Sequence, residues 1–184
     1  MKVKDIGFIL KDGRRATLRS PRHEDAEGLI EYLRVSAEET EFLLRTPEEC
    51  VKYTVEGEYK FIDSMNDADN MATLVCEVDG RIVGNCQITW PKHAKTKHRA
   101  DIGIALISEF WGLGIGSAMF REMEKIAMAN ENIIQMELEF IEGNTRARAL
   151  YEKMGFRITG MRPDAIRMRD GSLRNEYTMI KKIR

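Results

Sequence analysis

The sequence predicts an α/β fold built around a mixed sheet, and three observations carry that expectation. Strand patterns joined by a two-residue turn occupy residues 72–90. Strand and helix patterns alternate from residue 100 onward. Two helix patterns precede them all. A chain of 184 residues reads as one domain, spanning residues 1–184, and is long enough to bury a real core.

The elements follow in order. Arg15-Ala16-Thr17-Leu18-Arg19 alternates apolar and polar residues and reads as a strand. Ser20-Pro21 reads as a helix start, with Ser as N-cap and Pro in the first turn, and Ala26, Leu29, Ile30 and Leu33 give that helix an apolar stripe. Thr46 and Glu49 form a capping box around Pro47, opening a second helix that the pattern extends to about Met65. Ala72 to Val78 and Arg81 to Trp90 are strands, and Asp79-Gly80 between them is a hairpin signal. Ala100 to Ile107 is a third strand of this meander. A helix with Ile115, Met119, Met123 and Ile126 on one face comes next. Ile133 to Ile141 is a strand, Thr145 to Met154 a helix, Phe156 to Pro163 a strand, and 175–183 a final strand reached through the turn Asp170-Gly171.

Composition excludes several classes of function. Apolar residues make up 43% and the formal net charge is -1, so bulk attraction to nucleic acid or an anionic membrane is not expected. No signal peptide and no stretch long enough to span a bilayer is legible, and the expected location is cytoplasmic. Cys50, Cys76 and Cys86 lack metal-ligand spacing and read as reduced, mostly buried thiols. Residues 36–69 hold ten acidic side chains against Arg45, Lys52 and Lys60, which reads either as a solvated face or as a rim attracting a cationic substrate.

Two motifs carry chemistry. Trp111-Gly112-Leu113-Gly114-Ile115-Gly116-Ser117 joins a strand to a helix. Its glycines leave the backbone bare, and the amides of the first helical turn have no intrahelical partner. With the helix dipole they make an anion site suited to a pyrophosphate. No Lys follows the glycines, which sets a P-loop aside. The spacing is G-x-G-x-G after a β-meander, which departs from a dinucleotide fingerprint. The second motif runs from Asn144 through Ala147, Leu150, Tyr151, Lys153 and Gly155 to Phe156. Asn144 is placed to cap the helix and Gly155 to end it. Ala147, Leu150 and Met154 share an apolar helix face, and Tyr151 lies beside it.

Together the two motifs resemble the paired signatures of the GCN5-related N-acetyltransferase (GNAT) superfamily, in the branch similar to ribosomal-protein N-acetyltransferases. The resemblance covers roughly residues 14–183. It departs at Trp111, which stands where the family usually has Arg or Gln. It implies a central, mostly antiparallel twisted sheet of six or seven strands flanked by about four helices, with a splayed strand pair that binds coenzyme A. It implies acetyl-CoA as co-substrate and direct attack by a primary amine on the thioester. Backbone amides of Gly112, Leu113, Gly114, Ile115, Gly116 and Ser117 would bind the pyrophosphate. Backbone groups of Ile104, Ala105 and Leu106 would pair with the pantetheine arm as an added strand, and Asn144 would contact that arm.

Tyr151 matches the family's general acid, whose phenol suits protonation of a leaving thiolate. The base is less determined. Glu137 and Glu139 share one face of a strand; Glu139 fits the place of the resembling branch's Glu, with Glu137, His98, Asp101 or a water chain as substitutes. A longer acyl-CoA, a non-catalytic acyl-CoA sensor and a nucleotide-dependent oxidoreductase are the rival readings. The acceptor is open: a protein N-terminus, a polyamine, an amino sugar or an amino acid would each serve, and the acidic segment favours a cationic small amine or a peptide amine. Dimers are common in the family; the sequence neither supports nor excludes a homodimer.

Overall fold

The computed structural model describes residues 1–184 and contains one eight-stranded sheet in the order β1-β2-β3-β4-β5-β6-β8-β7. The strands are β1 (Ile6–Ile9), β2 (Arg15–Arg19), β3 (Met71–Val78), β4 (Arg81–Thr89), β5 (Arg99–Leu106), β6 (Gln135–Ile141), β7 (Arg157–Arg167) and β8 (Leu173–Lys182). The helices are α1 (Ala26–Glu39), α2 (Pro47–Cys50), α3 (Val55–Asp67), α4 (Ile115–Ala129) and α5 (Thr145–Lys153). Every neighbouring pair of strands is antiparallel except β5 and β6. The mixed α/β architecture and the elements from β2 onward agree with the sequence patterns, with one more strand and one more helix than the family resemblance implies.

The differences have local causes. Edge strand β1 was not among the expected elements; its only signal is the short alternation of Ile6 and Phe8, both packed against the core. Ser20 does not cap α1. Its hydroxyl accepts from the Val3 amide instead, and a 3₁₀ turn over His23–Asp25 leads into the helix. The capping box of Thr46 and Glu49 forms as expected, but the helix it opens stops at Cys50. Thr54 then starts α3 by accepting from the Gly57 amide, so one expected helix becomes two. Strand β7 runs past Pro163 because Asp164 takes φ 50° and the register with β8 shifts between Arg162 and Ile166. That is a bulge, which absorbs residues without ending the strand.

Helices cover both faces of the sheet. On one side Tyr32 of α1 reaches the Asn85 side chain, which shares a face with Ala105 across the β4–β5 register. On the other, Gly116 of α4 sits against the side chains of Ile104 and Leu106. Because successive residues of a strand face opposite ways, α1 and α4 lie on opposite faces. Met119, Phe120 and Met123 of α4 and Leu74, Cys86 and Ile88 of the sheet belong to one continuous buried cluster. Cys50, Cys76 and Cys86 are buried free thiols; burial raises all three, Cys76 to about 12. No helix is long and apolar enough to cross a membrane.

A buried ion cluster pins the start of α1 to the sheet. Arg19 donates to both carboxylate oxygens of Asp25, at 2.6 and 2.7 Å, and to Glu77 at 2.7 Å. The Asp25 carboxylate also accepts from the Arg22 amide at 2.7 Å. Burial alone would push Asp25 upward, but these donors outweigh it and hold its carboxyl below the usual range.

Candidate acyl-CoA site at the split between two strands

The only parallel strand pair is also the shortest. β5 and β6 are in register at Arg99 with Gln135, Ala100 with Met136 and Asp101 with Glu137, and the pairing stops there. Beyond it the strands part, leaving a cleft of about 830 Å³. Ile104, Leu106, Glu139, Asn144 and Tyr151 all line it. A second cavity of about 500 Å³ opens over the glycine loop and shares Leu106, Trp111, Thr145, Arg146 and Leu150 with the first. The two adjoin at these residues, one over the glycine loop and the other in the split.

The split decides which backbone groups are free. Ile107 donates to the Val83 carbonyl at 3.1 Å, in the same register as the β4–β5 ladder. Odd-numbered residues of β5 therefore direct their backbone polar groups to β4, and Ile104 and Leu106 direct theirs into the split. Of the three residues expected to meet the pantetheine arm, all line the cleft, but Ala105 directs its backbone polar groups to β4. Its carbonyl also accepts from the Tyr32 hydroxyl at 3.0 Å. The Leu106 carbonyl is taken by the Trp111 indole at 2.9 Å. What remains open on this edge is both polar groups of Ile104 and the N–H of Leu106.

The glycine loop has the shape of an anion cradle. Gly112 and Gly114 hold φ of 78° and 100°, where L side chains are strained, and a Cβ at either would stand in open space. The first bond inside α4 runs from the Ala118 amide to the Gly114 carbonyl. The amides from Gly112 through Ser117 find no acceptor in the protein. Unpaired amides at a helix N-terminus, with room in front of them, fit a pyrophosphate. Gly116 has another reason to be glycine: a Cβ there would come within 2.9 Å of the Leu150 side chain. Arg146 lies over the Trp111 ring at 4.5 Å, bringing a cation to the wall that the two cavities share.

Asn144 caps α5, its side-chain oxygen accepting from the Ala147 amide at 3.2 Å, so its NH₂ stays available to the cleft that it lines. Gly155, at φ 91°, ends the helix in the left-handed conformation. Tyr151 is 7% exposed, edge-on to Phe120 and Phe140. Burial pushes its phenol up to about 12.

The two candidate carboxylates separate. Glu137 is tied down: Gln135 donates to it, and Arg99 lies 3.6 Å away. Glu139 is exposed, lines the cleft and has no ion-pair partner within 4 Å. Asp101 lies beside Glu137 and outside the cleft lining; its carboxyl is raised by burial first and then by Glu137. His98 precedes β5, where its carbonyl anchors the start of β6, and does not line the cleft. Since Phe140 packs on Tyr151, alternation along β6 turns Glu139 to the opposite, α1-facing side of the sheet. Both side chains reach one cleft because the sheet is open between β5 and β6.

Sequence reasoning missed Arg45 and Arg146, both of which line the cleft. Neither has a motif signal of its own; Arg146 lies inside the second motif, and Arg45 stands out in the sequence only as a charge.

These features define an acetyltransferase fold, and comparison with known proteins agrees. The model of the acetyltransferase (GNAT) family matches residues 30–156. The chain belongs to that family. It is 29% identical over 104 residues to the L-amino acid N-acetyltransferase AaaT of Escherichia coli, covering 56% of this chain and 64% of that one. It is 27% identical over 157 residues to an N-alpha-acetyltransferase of Sulfurisphaera tokodaii, covering 80% and 83%. Among solved structures, a GNAT-family acetyltransferase from Streptococcus pneumoniae superposes with a TM-score of 0.83 at 27% identity, over 91% of this chain and 99% of that one.

Proposed function

We propose that residues 1–184 act as one N-acetyltransferase, moving the acetyl group of acetyl-CoA to a primary amine by direct attack in a ternary complex. The observation that carries this reading is the split between β5 and β6, which opens the sheet so that Glu139 from one face and Tyr151 from the other meet a single cleft. Family membership and the names of the relatives support the chemistry.

The parts divide the work. The amides of Gly112 through Ser117 hold the pyrophosphate. Ile104 and the Leu106 N–H pair with the pantetheine arm as an added strand, and the Asn144 amide group reaches the same arm. The amine arrives on the α1 face, where Glu139 takes its proton directly or through water. Its nitrogen lone pair forms the new C–N bond at the thioester carbonyl, and the C–S bond breaks as the tetrahedral centre collapses. Tyr151, on the α5 side, gives its proton to the departing sulfur. A phenol that holds its proton in this apolar wall is available as an acid across the neutral range. We place the reaction in the cytoplasm, in line with the free thiols of all three cysteines.

The test is an acceptor panel with acetyl-CoA, following release of the CoA thiol and the mass of the acetylated amine. Thiol release that depends on an amine, with one acetyl group gained per thiol, is the expected result. Release without acetylated product, or no release with any amine, would reject the transferase.

A further inference from the structure

The cleft carries a guanidinium with no carboxylate to answer it. Arg45 lines the split but not the cavity over the glycine loop. It is half-buried, and no Asp or Glu oxygen lies within 4 Å of its nitrogens. Two neutral groups fix it: the Ser36 hydroxyl accepts from its Nη2 at 2.7 Å, and the Leu33 carbonyl from its Nε at 3.4 Å. Ser36 is itself 1% exposed and donates back into the α1 backbone, so the anchor is rigid. The guanidinium carbon stands 6.0 Å from the centre of the Tyr32 ring, whose hydroxyl bonds Ala105 on the strand at the split. Beyond these two contacts and the Tyr32 side chain, its N–H donors have no acceptor in the protein.

The acidic residues around it do not fill that role. Glu39 accepts from the Ser108 amide at 2.6 Å. Glu38 is bound to Arg34, Glu49 closes the capping box, Glu56 pairs with Lys60, and Asp69 pairs with Lys92. The acidic segment of the sequence is therefore neutralised only in part, at Glu38, Glu56 and Asp69. Glu39 and the unpaired Glu41 line the cleft, and in its acceptor half one fixed cation, Arg45, and the unpaired carboxylate of Glu139 face the same side of the sheet.

A zwitterion matches that pair. We infer that the acceptor is a free α-amino acid, its ammonium directed to Glu139 and its carboxylate bound by Arg45. This deepens the transferase reading and rests on it. A planar guanidinium held at two of its donors offers the others as a fork for a carboxylate, and such charge-assisted pairs discriminate strongly against the neutral amide. A peptide N-terminus, which has a neutral amide in place of that carboxylate, would leave the Arg45 charge unmet.

The experiment compares each L-amino acid with its own carboxamide, by steady-state acetylation and by calorimetric binding to the CoA-loaded protein. It uses the wild type, Arg45→Gln and Arg45→Lys, with thermal midpoints measured on all three. We expect the wild type to favour the acid by roughly tenfold or more in kcat/KM, the scale of one charge-assisted hydrogen bond. Arg45→Gln should bring acid and amide close to parity, mainly through KM, and Arg45→Lys should restore part of the preference. Equal use of acid and amide by the wild type, or an Arg45→Gln loss of the same size for both, would overturn the assignment. So would failure of every amino acid to bind. Amino-acid binding that depends on Arg45, without acetylation of any amine, would instead reject the transferase and leave the carboxylate site standing.

Discussion

The indole N–H of Trp111 donates to the Leu106 carbonyl oxygen across 2.9 Å, tying the glycine loop to the free edge of β5. The resemblance to the family departs at this residue, and the structure gives it a task of its own. Trp111→Phe keeps a ring for Arg146 to stack on but removes the donor. A net hydrogen bond is worth about 1 kcal/mol, so acetyl-CoA affinity should fall by about fivefold, with the thermal midpoint little changed. Calorimetry reads the first and scanning fluorimetry the second. Unaltered affinity would mean that this link does not order the loop.

Gly114 and Gly116 should fail in different ways. At Gly114 the backbone is left-handed and the space beyond it is open, so Gly114→Val strains the turn by about 1–3 kcal/mol and crowds the anion cradle. Acetyl-CoA binding should be lost at a modest stability cost. At Gly116 the obstacle is the far end of the Leu150 side chain, and Gly116→Ala should lower stability by no more than about 1 kcal/mol as that side chain is pushed aside between α4 and α5. Gly116→Ala combined with Leu150→Ala should recover stability. If the double variant is no more stable than Gly116→Ala alone, the contact is not the cause.

Tyr151→Phe should cut turnover by about 10²–10⁴-fold while leaving acetyl-CoA affinity nearly intact, because proton donation to sulfur belongs to the transition state. The ring contacts with Phe120 and Phe140 survive the change. The phenol is raised to about 12, so it stays protonated well into the alkaline range. The wild-type rate should therefore show no falling limb from this group near pH 10, where an ordinary tyrosine titrates. Normal turnover in the variant would reduce Tyr151 to a packing residue.

Glu139→Gln should lower kcat/KM by about 10²–10⁴-fold at neutral pH, with partial recovery at high pH as more free amine is supplied by the solvent. Glu137→Gln should act differently, loosening the Arg99 and Gln135 contacts and costing stability more than rate. A wild-type pH–rate profile in Glu139→Gln would move proton removal to solvent.

Arg19 and Asp25 set an acid limit on stability. The folded Asp25 carboxyl is lowered, so its stabilisation is complete above the unfolded value and is lost as pH falls through the folded one. Removing Arg19 strands a buried carboxylate. Arg19→Met should cost about 3–5 kcal/mol at pH 7, and less at pH 3, where Asp25 can protonate. Urea unfolding at the two pH values tests this; an equal cost at both would show that charge is not the cause.

The sequence determined, by itself, whatever depends on neighbours along the chain. Asp79-Gly80 turns with positive φ at both residues, Asn144 caps its helix, Gly155 ends it, and the glycines before α4 leave the amides bare. Each follows from the local conformational preference of one or two residues. Family signatures are legible for the same reason, since both motifs are contiguous. The tertiary structure decided which groups meet across elements. Glu137 and Glu139 look alike in an alternating strand, and the Arg99 and Gln135 contacts of the one and the cleft beside the other distinguish them. The register of β5 on β4 turned the backbone of Ala105 away from the split and left Ile104 and Leu106 facing it. Thr54 broke an amphipathic stretch that periodicity alone would continue. Arg45 became part of the cleft because Ser36, Leu33 and Tyr32 hold it there. Periodicity assigns a side chain to a face, but a site is made where non-local packing brings faces together, and that information is spread over contacts between residues far apart in the chain.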